Sequence, residues 1–144
     1  MSYSFSNHSM TQLQTLHPDL QKVAIEVLKY HDFKIQEGHR DKATQDTYFA
    51  RGTTKVRWPN SKHNSTPSLA MDLFPFVGGK FIGWHDLKQW YYFGGHVIAV
   101  SKAMLAQGDI GHAVRWGGDW DRDNDLGDQR FNDLPHFELI EPQF

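Results

Sequence analysis

The sequence contains no cysteine. That excludes a disulfide framework, a thiolate nucleophile and a thiolate metal site, so any bound metal must be held by imidazole and carboxylate. It also lacks a dominant charge: 15 Lys and Arg oppose 17 Asp and Glu, for a formal net charge of −2. Such a balance gives no electrostatic footprint for nucleic acid. No apolar run approaches the ~20 residues that a membrane helix requires. The opening MSYSFSNHSM has neither the basic nor the apolar region of a secretory signal. There is no internal repeat. What is present is a globular composition, 39% hydrophobic and 14% aromatic over 144 residues. A chain of that length can bury a real core, and one domain spanning residues 1–144 is expected, monomeric and without a separate second module.

Periodicity supplies the elements. Leu20, Val23, Ala24, Val27 and Leu28 recur at helical spacing behind Pro18, which suits a first turn. FKIQEG reads as a short strand, RDKATQDTYFARG as a helix stopped by Gly52, and residues 53–68 as a long polar loop. LAMDLFPF reads as a strand closed by Pro75, with Ala70, Asp72 and Phe74 on one face. VGGKFIGW suggests a hairpin. A helical pattern returns from Asp86 to about Ala106, and Gly94-Gly95 marks either a break in it or a close crossing. AVRW and HFELI are the last strands, the second with His136 and Glu138 on one face. Irregular alternation of helices and strands predicts an α+β fold with a small, mainly antiparallel sheet and flanking helices.

Zinc hydrolases use three protein ligands and keep a position for water. His63, Asp72 and His136 are candidates, two of them on strands that could pair. Asp133, three residues before His136, could reach a metal-activated water without binding the metal. Spacing alone does not single out this set, because His112 also has an aspartate, Asp121, nine residues on and Asp109 three before. Glu138 is either a support for a ligand or a solvated strand residue. Trp120, between Asp119 and Asp121, is the best aromatic candidate for a cleft.

Four motifs break the tie. EGHR (37–40), SKH…AMD (61–72), RWGGDWD (115–121) and DLPHFEL (133–139) occur in this order over nearly the whole chain. Together they resemble the zinc D-Ala-D-Ala carboxypeptidase-like peptidases, in particular the phage endolysins that are L-alanyl-D-glutamate endopeptidases. The resemblance implies a DD-peptidase/hedgehog-like zinc fold. It implies zinc ligands at His63, Asp72 and His136, a catalytic acid/base at Asp133, an oxyanion-steadying arginine at Arg40, and positions near the site at Gln45 and Ser61. It further implies peptidoglycan stem peptides as substrate, cleavage of the L-Ala–D-Glu bond, host lysis, and passage from the host cytoplasm to the wall through a holin. The alternatives are a zinc D-Ala-D-Ala carboxypeptidase or dipeptidase, or a non-catalytic wall or phage structural module. One departure stands out: the common family form places six residues, including a glycine, between His and Asp, whereas eight glycine-free residues lie between His63 and Asp72.

Asp119, Asp121, Asp123, Asp125 and Asp128 crowd one loop, and an irregular Ca²⁺ site is a second expectation. It is not an EF-hand, because Leu126 stands where that loop needs glycine and Asn132 where it needs glutamate.

Overall fold

The computed structural model describes residues 2–142. It is α+β. Helix α1 (Asn7–Leu13) leads into α2 (Pro18–Leu28), strand β1 (Phe33–Glu37) and helix α3 (Lys42–Ala50). Then come β2 (Ala70–Val77), β3 (Lys80–Phe81), the long helix α4 (Leu87–Ala106), β4 (Ala113–Gly117) and β5 (Asp133–Ile140). The strand order is β1-β2-β5-β4, with β3 added to the end of β2, and every strand pair is antiparallel.

Alternation along the strands gives the sheet two different faces. Ile35, Met71, Leu73, Phe137 and Leu139 are fully or almost fully buried and join Leu20, Val23 and Val27 of α2 and Phe93 and Val97 of α4 in one core. The opposite face carries Asp72, His136 and Glu138. The pairing Asp72↔His136 brings the first two side by side, as the strand reading required.

The predicted helices and strands are found, with four differences. Helix α1 was not anticipated. It is short and polar and buries only Ser9 and Leu13, so periodicity is silent; its signal is the N-cap Ser6, whose Oγ accepts from Ser9 N. The loop at 53–68 contains a 3-10 turn at Lys62–Asn64. Pro75 does not end β2. Phe76 N donates to Asp32 O on the β1 side, so the missing N–H of Pro75 faces the other edge, where pairing with β5 has stopped at Asp72. Finally, β5 starts at Asp133, three residues before the predicted HFELI strand. Pro135 is accommodated because the β4 ladder jumps from Phe137 to Asp133 across a bulge between Trp116 and Gly117.

Helix α4 is continuous through Gly94-Gly95, which resolves the earlier alternative in favour of a close crossing. A Cβ on Gly94 would overlap the indole of Trp116. Gly78 and Gly79, at φ 61° and 78°, make the tight β2–β3 turn.

Candidate metal centre

His63 sits in the 3-10 turn, capped by Ser61: Ser61 Oγ accepts from His63 N and Asn64 Oδ1 accepts from Ser61 N. The His63 ring is 2% exposed. Its Nδ1 donates to Gly38 O at 2.8 Å, which leaves a lone pair on Nε2, and Nε2 is buried without a hydrogen-bond partner. That nitrogen lies 3.4 Å from Asp72 Oδ1. His136 Nδ1 lies 3.3 Å from the same oxygen, while its Nε2 donates to Glu138 Oε1 at 2.8 Å. One ligand atom from each of His63, Asp72 and His136 falls within 4.8 Å of the others. Two imidazoles with fixed tautomers and one carboxylate form a donor set suited to zinc, and the orphaned His63 Nε2 is the sign that a ligand belongs there.

The electrostatics agree. Burial would raise the Asp72 carboxyl, but His63 and His136 outweigh it and hold the group well below the carboxylate range. Burial disfavours an imidazolium at His136, yet Asp72 and Glu138 push its pKa up to about 10. Negative charge that attracts a proton here attracts a divalent cation equally. Glu138 is buried and is not the solvated strand residue of the second sequence reading. It accepts from His136 and from Arg115 Nη2 at 2.7 Å, with Lys62 Nζ at 3.5 Å. Burial opposes its ionisation, but His136 and Arg115 lower its pKa to about 2. A carboxylate behind a ligating histidine fixes the ring and raises its basicity.

Asp133 opens β5 and is largely enclosed. Burial raises its pKa, and the charge of Asp72 raises it further against His136, His63 and Arg40. Gly117 makes this placement possible, since a Cβ there would overlap the Asp133 carbonyl.

Arg40 is 9% exposed and held from several sides. Its Nε donates to Glu37 Oε1 at 2.6 Å, its Nη1 to Gln45 Oε1 at 3.0 Å, and its guanidinium lies 4.7 Å from the Tyr48 ring centroid. Nη2 stands 3.8 Å from Asp72 Oδ2. Gln45 is fully buried, and its Oε1 also accepts from Asn64 Nδ2 at 3.2 Å. It therefore ties Arg40 to the His63 turn and does not face a cleft. Sequence reasoning missed Glu37, Asn64, Tyr48, Arg115 and Lys62. Only Glu37 had a signal, at the i−3 position from Arg40 within EGHR.

The long link between His63 and Asp72 is strapped down. Ser68 pairs with Leu16, His17 N donates to Ser68 O, and Ser68 N donates to Thr15 O. Leu69 N reaches back to Lys62 O. The extra residues are thus absorbed before β2, and Ala70 and Asp72 keep their places in the strand. His39, next to Arg40, helps to pin the link through Nδ1 and Ser65 O.

The competing spacing does not assemble. His112 meets Asp19 and His17, not Asp121. His112 Nδ1 donates to Asp19 Oδ2 at 2.7 Å, while His17 Nδ1 accepts from Asp19 N as the cap of α2. Of the acidic loop, Asp119, Asp121 and Asp123 converge. Asp125 Oδ1 instead accepts from Gly127 N and Asp128 Oδ1 from Gln129 Nε2. Trp120 lies beside the centre, its ring 5.6 Å from that of His136 and 5.3 Å from Phe131.

Comparison with known proteins gives the family. Residues 1–140 match the model of the family "Phage L-alanyl-D-glutamate peptidase". The chain is 35% identical to the L-alanyl-D-glutamate peptidase of Escherichia phage T5 over 132 residues, 90% of each protein. Its fold matches the crystal structure of the Serratia marcescens L-Ala D-Glu endopeptidase ChiX with a TM-score of 0.71 and 25% identity, over 94% of this chain and 89% of that one. The chain belongs to the phage L-alanyl-D-glutamate peptidase family.

Proposed function

We propose that this chain, acting as one catalytic domain over residues 1–144, is a zinc-dependent peptidoglycan hydrolase that cleaves the L-Ala–D-Glu bond of the stem peptide for host lysis. The observation that carries the reading is the convergence of His63 Nε2, Asp72 Oδ1 and His136 Nδ1, with the first buried and otherwise unpartnered. The family and both relatives bear names that specify this bond.

His63, Asp72 and His136 would hold the zinc, which would supply a Lewis acid able to lower the pKa of a water to ~7 and to polarise the scissile carbonyl. Asp133, whose pKa burial and Asp72 raise, takes the proton of the attacking water and passes it to the departing D-Glu nitrogen. Arg40, permanently charged and fixed by Glu37 and Gln45, faces the negative oxygen that develops on the carbonyl carbon. Glu138 keeps His136 in the tautomer that presents Nδ1. The converging Asp119, Asp121 and Asp123 suit a hard cation such as Ca²⁺, which would order the loop leading to Asp133.

In a phage protein of this kind, synthesis in the host cytoplasm and release through a holin follow from the reading. No helix among the described residues is long and apolar enough to cross a membrane. The assignment is tested by metal analysis of purified His63→Ala and His136→Ala. Each is expected to lose zinc and activity together. A variant that keeps full zinc stoichiometry refutes that residue as a ligand.

A further inference from the structure

The aromatic rings of the chain do not all serve one core. Trp90 is 1% exposed yet stands outside the main core cluster. It packs with Phe74, Phe81 and Trp84 instead, in a separate group at the β2–β3 end of the sheet. Trp84 lies parallel to Trp90, with centroids 5.3 Å apart and 13° between planes, and edge-on to Phe74 and Phe81 at 5.2 and 5.5 Å. Its ring is thus held on three sides, yet Trp84 remains 55% exposed. Burying such a ring only on docking restores apolar area that folding left in water.

Position says what docks. Phe74 follows Asp72 by two residues on the same face of β2, a separation of roughly 7 Å along the strand. Trp84 lies one ring beyond it. The aromatic wall therefore begins beside the metal centre and leads away from it, so its occupant is a part of the substrate. On the reading that the L-Ala–D-Glu bond is cut, that substrate has two unlike arms. On the D-Glu side the two units nearest the cleaved bond, D-Glu and the diamino acid, bear carboxylates and an amine. On the L-Ala side the alanine nitrogen is acylated by the lactyl group of N-acetylmuramic acid, a neutral pyranose in the glycan strand. One residue and a three-carbon acid separate that ring from the cleaved carbonyl, a reach of about 7 Å. The rings of the wall carry no charge. Lys34 faces Phe74 from β1, at the opposite edge of β2 from β3.

We propose that Trp84, backed by Trp90, Phe74 and Phe81, is the stacking platform for the N-acetylmuramic acid ring on the amino side of the cleaved bond. This makes Trp84 a determinant of preference for glycan-linked over free stem peptide. The C–H face of a pyranose lies flat on an indole, and the parallel Trp84–Trp90 stack fixes the orientation of that indole.

The test compares kcat/KM on two substrates, muramoyl-L-Ala-D-Glu-diamino acid and the same peptide with an N-acetyl group in place of the muramoyl group. The ratio of the two constants cancels any loss of folded enzyme. The wild-type protein is expected to prefer the muramoyl substrate. Trp84→Ala is expected to lower the ratio by about tenfold, and Trp84→Tyr to retain most of it. A ratio unchanged in Trp84→Ala, or a wild-type ratio of one, overturns the sugar platform. If wild-type protein leaves the L-Ala–D-Glu bond of both substrates intact, the failure lies in the proposed cleavage itself.

Discussion

Asp133 carries opposing demands. A general base must be ionised to act, yet burial and the neighbouring Asp72 hold its pKa above the ordinary carboxylate value. A carboxyl whose folded pKa is raised favours the folded state while protonated, and that contribution is lost as pH rises through the folded pKa. Asp133→Asn is therefore expected to abolish hydrolysis, by at least ~10²-fold, while zinc remains bound. In chelator-treated protein its Tm at pH 7 should equal or exceed that of the wild type, with the difference vanishing below pH ~4. Near-full activity in this variant would remove Asp133 from the mechanism. Glu138 poses the complementary case. Glu138→Gln keeps the shape but weakens the hold on His136 Nε2, and zinc affinity by competition titration should fall roughly 10–100-fold. Unchanged affinity would make Glu138 a partner of Arg115 alone.

At the scale of elements, the centre depends on close approaches that only glycine permits. Gly117 lets β4 pass against the Asp133 carbonyl, and Gly94 lets α4 lie on Trp116. Gly94→Ala should destabilise the fold by about 1–3 kcal/mol, read as a lower Tm, without changing zinc stoichiometry. An unaltered Tm would mean that the α4–β4 crossing adjusts freely. The acidic loop is a second balance of forces. Hydrogen bonding to Asp123, with the charges of Asp121, Asp123 and Asp125, raises the Asp128 pKa to about 6. The contribution of Asp128 to the loop is therefore present at acid pH and is lost as pH rises from about 4 through 6, unless a cation compensates. Ca²⁺ is expected to raise Tm at pH 7 in the wild type and not in Asp121→Asn; calorimetry that detects no Ca²⁺ binding would end the calcium assignment. Why some elements were legible follows from the same forces. Helix α2 and strand β2 announce themselves because one face of each is apolar and buried. Helix α1 buries almost nothing apolar, and the extension of β5 through Pro135 depends on a bulge in its neighbour. Neither leaves a local pattern.

For the whole molecule, the candidate metal centre was legible as residue types and order but not as geometry. His63–Asp72 and His112–Asp121 show the same spacing, and only tertiary structure separates them: β2 and β5 pair Asp72 with His136, while His112 is drawn to Asp19 in the first turn of α2. The supporting shell was not legible, because Glu37, Asn64, Tyr48 and Arg115 act through contacts that cross elements. The two-residue-longer link between His63 and Asp72 is explained in the same terms, since it is tied to the α1–α2 connection at Leu16 and Ser68. The central claim concerns one bond and one metal. Its most direct test is mass spectrometry of purified peptidoglycan digested with and without a chelator. Fragments with new N-terminal D-Glu and glycan-linked C-terminal L-Ala are expected, lost on chelation and restored by Zn²⁺. Release of terminal D-Ala with the L-Ala–D-Glu bond intact, or cleavage indifferent to the chelator, would contradict it.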